Sequence, residues 1–253
     1  MQSDISVINS NYERGTCKMS EESHLTLKSL REQVYDYLRV QMNDGKIRPG
    51  LFLNLNEISQ ELGMSRTPLR DALFQLESEG FVKIYPRKGV MVNTLSLEKI
   101  RNIYEILGGL ESAVIVLIAL RFRESDADTM TKCNAMMRKA LERNNYATFY
   151  SENLKFHNVY LELSDNSDLL EYIKIHKERL YDFPRNKTFV KEWELHSLDE
   201  HQTMIDLFRV GDFNGAAEYV RDVHWSFSVQ ERFIRKYYFA KHTELDISEE
   251  GQA

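Results

Sequence analysis

Two arginines and two hydroxyls stand close together in Ser65-Arg66-Thr67-Pro68-Leu69-Arg70. An arginine can donate two hydrogen bonds to guanine O6 and N7, while hydroxyls and the free N–H groups of a helix start suit phosphate oxygens. A second basic group, Arg87-Lys88-Gly89, follows Pro86 and could reach phosphates or a minor groove. In isolation such charges are usually only solvated surface. Their surroundings turn the reading toward double-stranded DNA. Ile58, Leu62, Leu69, Leu73 and Leu76 supply an apolar face for two short helices, and Gly63 permits a tight turn between them. That spacing predicts a helix-turn-helix with Ser65, Arg66, Thr67 and Arg70 at the start of the recognition helix, the end that enters a major groove.

The second constellation is made of histidines. Of His24, His157, His176, His196, His201, His224 and His242, three are set apart by spacing. Asn153 precedes His157 by four residues, so both fall on one helical face. His201 and His224 lie at similar distances either side of Gly211-Asp212. In an antiparallel helical hairpin both would stand roughly 15–18 Å from the turn, facing each other. Three imidazoles and the Asn153 oxygen could then hold one divalent ion (zinc, nickel, manganese or iron) with positions left for water or a ligand. Hydrogen-bonded core histidines fit the same spacing. A helical metal-dependent enzyme is an alternative reading of this part; it needs a general base, for which Glu152 and Glu200 are the candidates.

The elements that must carry these groups can be read from periodicity. Residues 1–24 are polar and read as an arm. Residues 25–95 read as three helices followed by two β-compatible pieces, Phe81–Tyr85 and Val90–Val92, the pattern of a winged helix. Residues 96–243 show helical patterns only, with spans expected at 97–123, 126–144, 146–163, 167–182, 188–210 and 213–241, and 244–253 read as a tail. The fold class expected is mostly α: a winged helix-turn-helix joined to an all-α bundle. Net charge is −6 overall, yet residues 25–95 carry ten Lys/Arg against eight Asp/Glu, as suits a DNA reader beside an acidic partner domain. No apolar run approaches the ~20 residues that span a bilayer, and the start shows no signal-peptide pattern. With Cys17 and Cys133 far apart, the chain reads as cytoplasmic, without a disulfide framework or a membrane partner.

Residues 27–92 resemble the DNA-binding domain of GntR-type regulators. The match runs through Gly45, Pro49-Gly50, Ile58–Leu62, Gly63, Ser65–Arg70, Ala72-Leu73, Leu76-Glu77, Glu79-Gly80 and Gly89. The resemblance implies DNA contacts from Ser65, Arg66, Thr67, Arg70 and the tip Arg87, Lys88, Gly89; Asn56 stands where some relatives carry a phosphate-contacting arginine. Residues 97–240 are similar to the FCD-type ligand-binding domain of the FadR-like branch, through Asn153–His157, Glu200-His201, Ile205, Gly211-Asp212, Ala216-Ala217 and His224. That likeness implies a homodimeric, non-enzymatic repressor that binds a metal and a small effector, often an organic acid. Two residues depart from the pattern: Asn153 replaces an aspartate, and Leu107 replaces an arginine that can pair with an effector carboxylate. Tyr104, Arg179 and Arg221 are the candidates to line the effector pocket in its place, with Tyr150, Tyr160 and Trp225 as further aromatic neighbours.

Overall fold

The computed structural model describes residues 28–181 and 190–239. The expected arm at 1–24 and tail at 244–253, with Cys17, His24 and His242, lie outside the described residues.

Helix α1 (Leu30–Asn43) opens with a capping box: the Glu32 N–H donates to Ser29 Oγ at 3.2 Å, and the Ser29 N–H donates to the Glu32 carboxylate at 2.7 Å. Asn54 caps α2 (Leu55–Glu61). The chain turns at Gly63, whose φ of +60° a side chain would strain, and enters α3 (Arg66–Ser78). Strands β1 (Val82–Tyr85) and β2 (Gly89–Val92) pair antiparallel from Val82↔Val92 to Tyr85↔Gly89. Val34, Leu38, Leu69, Leu73, Leu76, Phe81 and Val92 form the buried core of this unit. Burying each large side chain contributes about 1.5–3 kcal/mol.

Ser96 caps α4 (Leu97–Leu117), the axial helix of the second unit. Against it pack α6 (Tyr146–Leu161), α7 (Ser167–Tyr181), α9 (Phe213–Tyr219) and α10 (Phe227–Phe239), while α5 (Glu124–Glu142) packs on α6 and α8 (Lys191–Arg209) on α5 and α9. Their core is a separate cluster running from Ile100 to Ile234.

Two expected spans need correction. The α4 helix ends at Leu117 rather than 123, and 213–241 is not one helix. After α9 the chain winds into a wide π-turn, Val220–His224, closed by Trp225 N–H donating to the Val220 carbonyl, and only then enters α10. Residues 220–226 contain neither Gly nor Pro, so no local breaker announces the change. The consecutive His224 and Trp225 at the end of this wide turn are both buried.

Candidate metal centre and nucleic-acid interface

Ser65, Arg66, Thr67 and Arg70 are all exposed on the first turns of α3. Ser65 occupies the N-cap position, but its hydroxyl makes no capping hydrogen bond. Arg66 donates to Asn56 Oδ1 at 2.8 Å, so Asn56 orients the arginine from α2. The Arg70 guanidinium lies 5.4 Å from the Phe74 ring centre. At the hairpin tip Arg87 and Lys88 are exposed, and Arg87 adopts a left-handed φ of +64°.

In the bundle, α6, α8 and the π-turn bring His157, His201 and His224 together, each offering a nitrogen within 4.8 Å of the others. Their rings are buried, and the centroid separations are 5.4 Å (157–201), 5.1 Å (157–224) and 5.2 Å (201–224). Two chains of hydrogen bonds set the tautomers of His157 and His224. Tyr160 Oη donates to Glu111, leaving its oxygen to accept from His157 Nδ1 at 2.9 Å. His224 Nδ1 lies 2.8 Å from Glu200 Oε2 and donates to it. Both assignments leave Nε2 with a free lone pair, the arrangement that a carboxylate-backed metal ligand needs. Phe156 stacks on His201 at 4.0 Å and fixes that ring.

Glu111 and Lys177 form a buried ion pair at 2.7 Å. Burial works against the Glu111 carboxylate, but Lys177 and His157 hold its carboxyl well below the usual range. Burial, aided by the Lys177 charge, lowers His157 to about 3, and burial beside the other imidazoles pushes His201 well down too. Neither is protonated at neutral pH. A fit to a metal rests on orphaned atoms: His157 Nε2 and both His201 nitrogens are fully buried without a hydrogen-bond partner. Such groups cost roughly 1–3 kcal/mol each unless something binds them. A divalent cation is what three neutral imidazoles converging from three elements can hold.

Beside the histidines lies a cavity of about 90 Å³, enough for several waters or one small molecule. Asn153, Glu200 and His224 form one part of its wall; Tyr104, Tyr150 and Trp225 also line it.

Comparison with known proteins completes this picture. Residues 30–92 match the family described as bacterial regulatory proteins, gntR family, and residues 102–223 match the FCD domain. An HTH-type transcriptional regulator encoded in the TAR-I ttuE-ttuC' intergenic region of Agrobacterium vitis is 33% identical over 130 residues, covering 49% of this chain and 74% of that one. The chain belongs to the GntR family. It is similar also to the HTH-type transcriptional repressor RspR of Escherichia coli (strain K12), 28% identical over 166 residues, 64% of this chain and 73% of the relative. Among solved structures, E. coli McbR/YncC superposes with a TM-score of 0.60 at 21% identity, covering 82% of this chain and 96% of that chain, a likeness of fold.

Family membership makes this a transcriptional regulator with an FCD domain and sets aside the metalloenzyme alternative. The site agrees: Glu200, one of the two candidate bases, is already engaged by His224 and Gln230. Two pocket candidates are also corrected. In this GntR regulator Arg179 does not face the cavity. Its guanidinium packs over Gly80, 3.0 Å from where a Cβ would sit. Arg221 is exposed and pairs with its neighbour Asp222 at 2.7 Å. Neither lines the cavity; Tyr104 does. Leu107 is fully buried in the apolar core. Tyr160 serves as the hydrogen-bond link behind His157 and does not line the cavity.

The residues that spacing missed are Glu111, Lys177 and Gln230. Only an acid and a lysine with apolar neighbours on the inner faces of α4 and α7 could have signalled the first two. One turn of α7 holds four consecutive contacts. Lys177 pairs with Glu111; Glu178 pairs with Arg39 of α1 at 3.0 Å; Arg179 covers Gly80; Leu180 lines the cavity.

Proposed function

We propose that the chain is a homodimeric, effector-responsive repressor. Its α3 reads operator bases through Arg66 and Arg70, while Ser65, Thr67 and the tip Arg87, Lys88 and Gly89 hold the backbone. His157, His201, His224 and Asn153 hold a divalent cation, which supplies a Lewis-acidic anchor for water or ligand beside the cavity. An effector in the cavity touches Leu180, and the turn of α7 passes its effect to α1 and to the corner after α3. One observation carries the reading: that single turn joins the histidine centre, the cavity and the winged helix.

The dimer reading is supported by α4. Ile106, Val116 and Leu117 on α4 are 40%, 49% and 62% exposed, and Leu120 in the turn just after it is 101% exposed, apolar surface suited to a second copy. RspR, named a repressor, supports the sign of regulation. The test is selection of bound sites from a random-duplex library, followed by gel-shift titration. Recovery of a two-fold repeated site, with affinity falling steeply as salt rises, is the expected result. A library that enriches no sequence refutes the proposal.

A further inference from the structure

The cavity wall carries acids and aromatic rings. Tyr146 and Tyr150 lie parallel at 6.2 Å, Tyr104 meets Trp225 edge-on at 5.3 Å, and Trp193 stacks on Phe233. Among the described residues lining the cavity there is no lysine or arginine, but there are two carboxylates, Glu194 and Glu200. Glu200 is spent on its protein partners: His224 Nδ1 at 2.8 Å, Gln230 Nε2 at 2.6 Å and His196 Nε2 at 3.1 Å. Glu194 has no ion-pair partner among the described residues; its carboxylate accepts a hydrogen bond from the Val190 backbone and lies near enough to Tyr237 to act on its hydroxyl electrostatically. It stands six positions before Glu200, roughly 9 Å along α8 at 1.5 Å per residue.

Taking the cavity as the effector site, as in the reading above, we propose that it accepts a small organic cation, an ammonium or quaternary ammonium group held by the Glu194 carboxylate among the rings of Tyr146, Tyr150 and Trp193. Aromatic faces attract cations, and most strongly where water is excluded. Burial pushes the Glu194 carboxyl up to about 7, so an ionised Glu194 is a group that gains by receiving a positive partner. An organic acid would bring a second carboxylate against Glu194, with no lysine or arginine among the described lining residues to offset it. A divalent ion held by the histidines would lie at the Glu200 end of the cavity, where that carboxylate, behind His224, would offset part of its charge.

Both tryptophans of the chain, Trp193 and Trp225, line the cavity, so intrinsic emission reports on it directly. The full-length protein, metal-free and zinc-loaded, is titrated with choline, phenethylamine, the neutral choline isostere 3,3-dimethyl-1-butanol, and succinate. A saturable emission change is expected with at least one cation, at least tenfold weaker with the alcohol, and absent with succinate. Glu194→Gln should weaken the cation about tenfold while keeping the thermal midpoint. Silence toward both cations, tighter binding of succinate, or an alcohol that matches choline overturns the proposal. The wild-type arms decide even if the variant misfolds. Gel shifts on the selected operator separate the two readings. If succinate shifts operator affinity and the cations do not, only this inference fails; if no operator is found, the regulator reading fails whatever the emission shows.

Discussion

Arg39 Nη2 lies 3.0 Å from Glu178 Oε2, an ion pair that ties α1 of the winged helix to α7 of the bundle. The Arg39 guanidinium also sits 3.7 Å above the Phe81 ring, and its side chain is only 8% exposed. Glu178→Gln removes the counter-charge and leaves the arginine covered. We expect a loss of about 1–3 kcal/mol, below the range for a fully buried pair because Glu178 is partly solvated. Thermal melts measure it. Gel shifts on the same variant should show intact operator binding with a weakened effector response; an undiminished response would remove α7 from the coupling route.

Protein purified without chelator should carry about one divalent ion per chain by elemental analysis, and His201→Ala should lose it. Tyr160→Phe breaks the link that orients His157 and should lower metal affinity about 10–100-fold. Asn153→Asp adds a charge to the donor set and should tighten binding. At a free ion concentration a hundred times Kd, loading should stabilise the fold by about 2.7 kcal/mol. Metal-free wild type under replete conditions would contradict the assignment.

Acid should destabilise the metal-free protein through the buried imidazoles. His157, lowered to about 3, and His201, also lowered well below its ordinary value by burial, are neutral when folded but free to protonate near pH 6.5 when unfolded. The unfolded chain therefore binds more protons below pH 6.5. The stability they contribute is full above that value and is lost as pH falls toward 3. Denaturant midpoints measured between pH 7.5 and 4.5 should fall, and His157→Asn should flatten the slope. A midpoint independent of pH across that window would rule this out.

Arg66→Ala and Arg70→Ala should each cost about 1–3 kcal/mol of specific operator binding and relax the sequence preference locally. Asn56→Ala should have a smaller effect in the same direction, since it only orients Arg66. Lys88→Ala should weaken all sequences alike and reduce the salt slope by about 1. Unchanged gel-shift affinity in both arginine variants would exclude α3 as the reader.

Leu117→Glu places a charge among the exposed apolar side chains Val116, Leu117 and Leu120 at the C-terminal end of α4. Light scattering on a sizing column should show a dimer for the wild type and a monomer for the variant, with operator affinity reduced because the paired reading heads are separated. A wild-type monomer at micromolar concentration would refute the symmetric arrangement.

The winged helix was legible because every signal in it is local: a glycine turn, a capping serine position, short apolar periods and a hairpin with its own turn residues. The meeting of His201 with His224 was legible for a related reason, since one break at Gly211-Asp212 fixes the hairpin that pairs them. Arg179 and Arg221 were misassigned because helical periodicity gives spacing along an element and not its rotation. Chemistry alone suggested a carboxylate partner for each, but the faces they occupy point at Gly80 and at Asp222. The Glu111–Lys177 pair was hidden because it joins α4 to α7 across a long loop of sequence, and nothing local marks either residue as buried.

The wide turn at Val220–His224 has a consequence for how this segment tolerates change in length. Deleting one residue would let the backbone regularise, but it would also swing all that follows by about 100°. Either the imidazole or the indole beside it would then leave its place. An alignment that treats this stretch as ordinary helix will shift one of the two out of register with its counterpart, and a search for the histidine by column position will land on the wrong side chain.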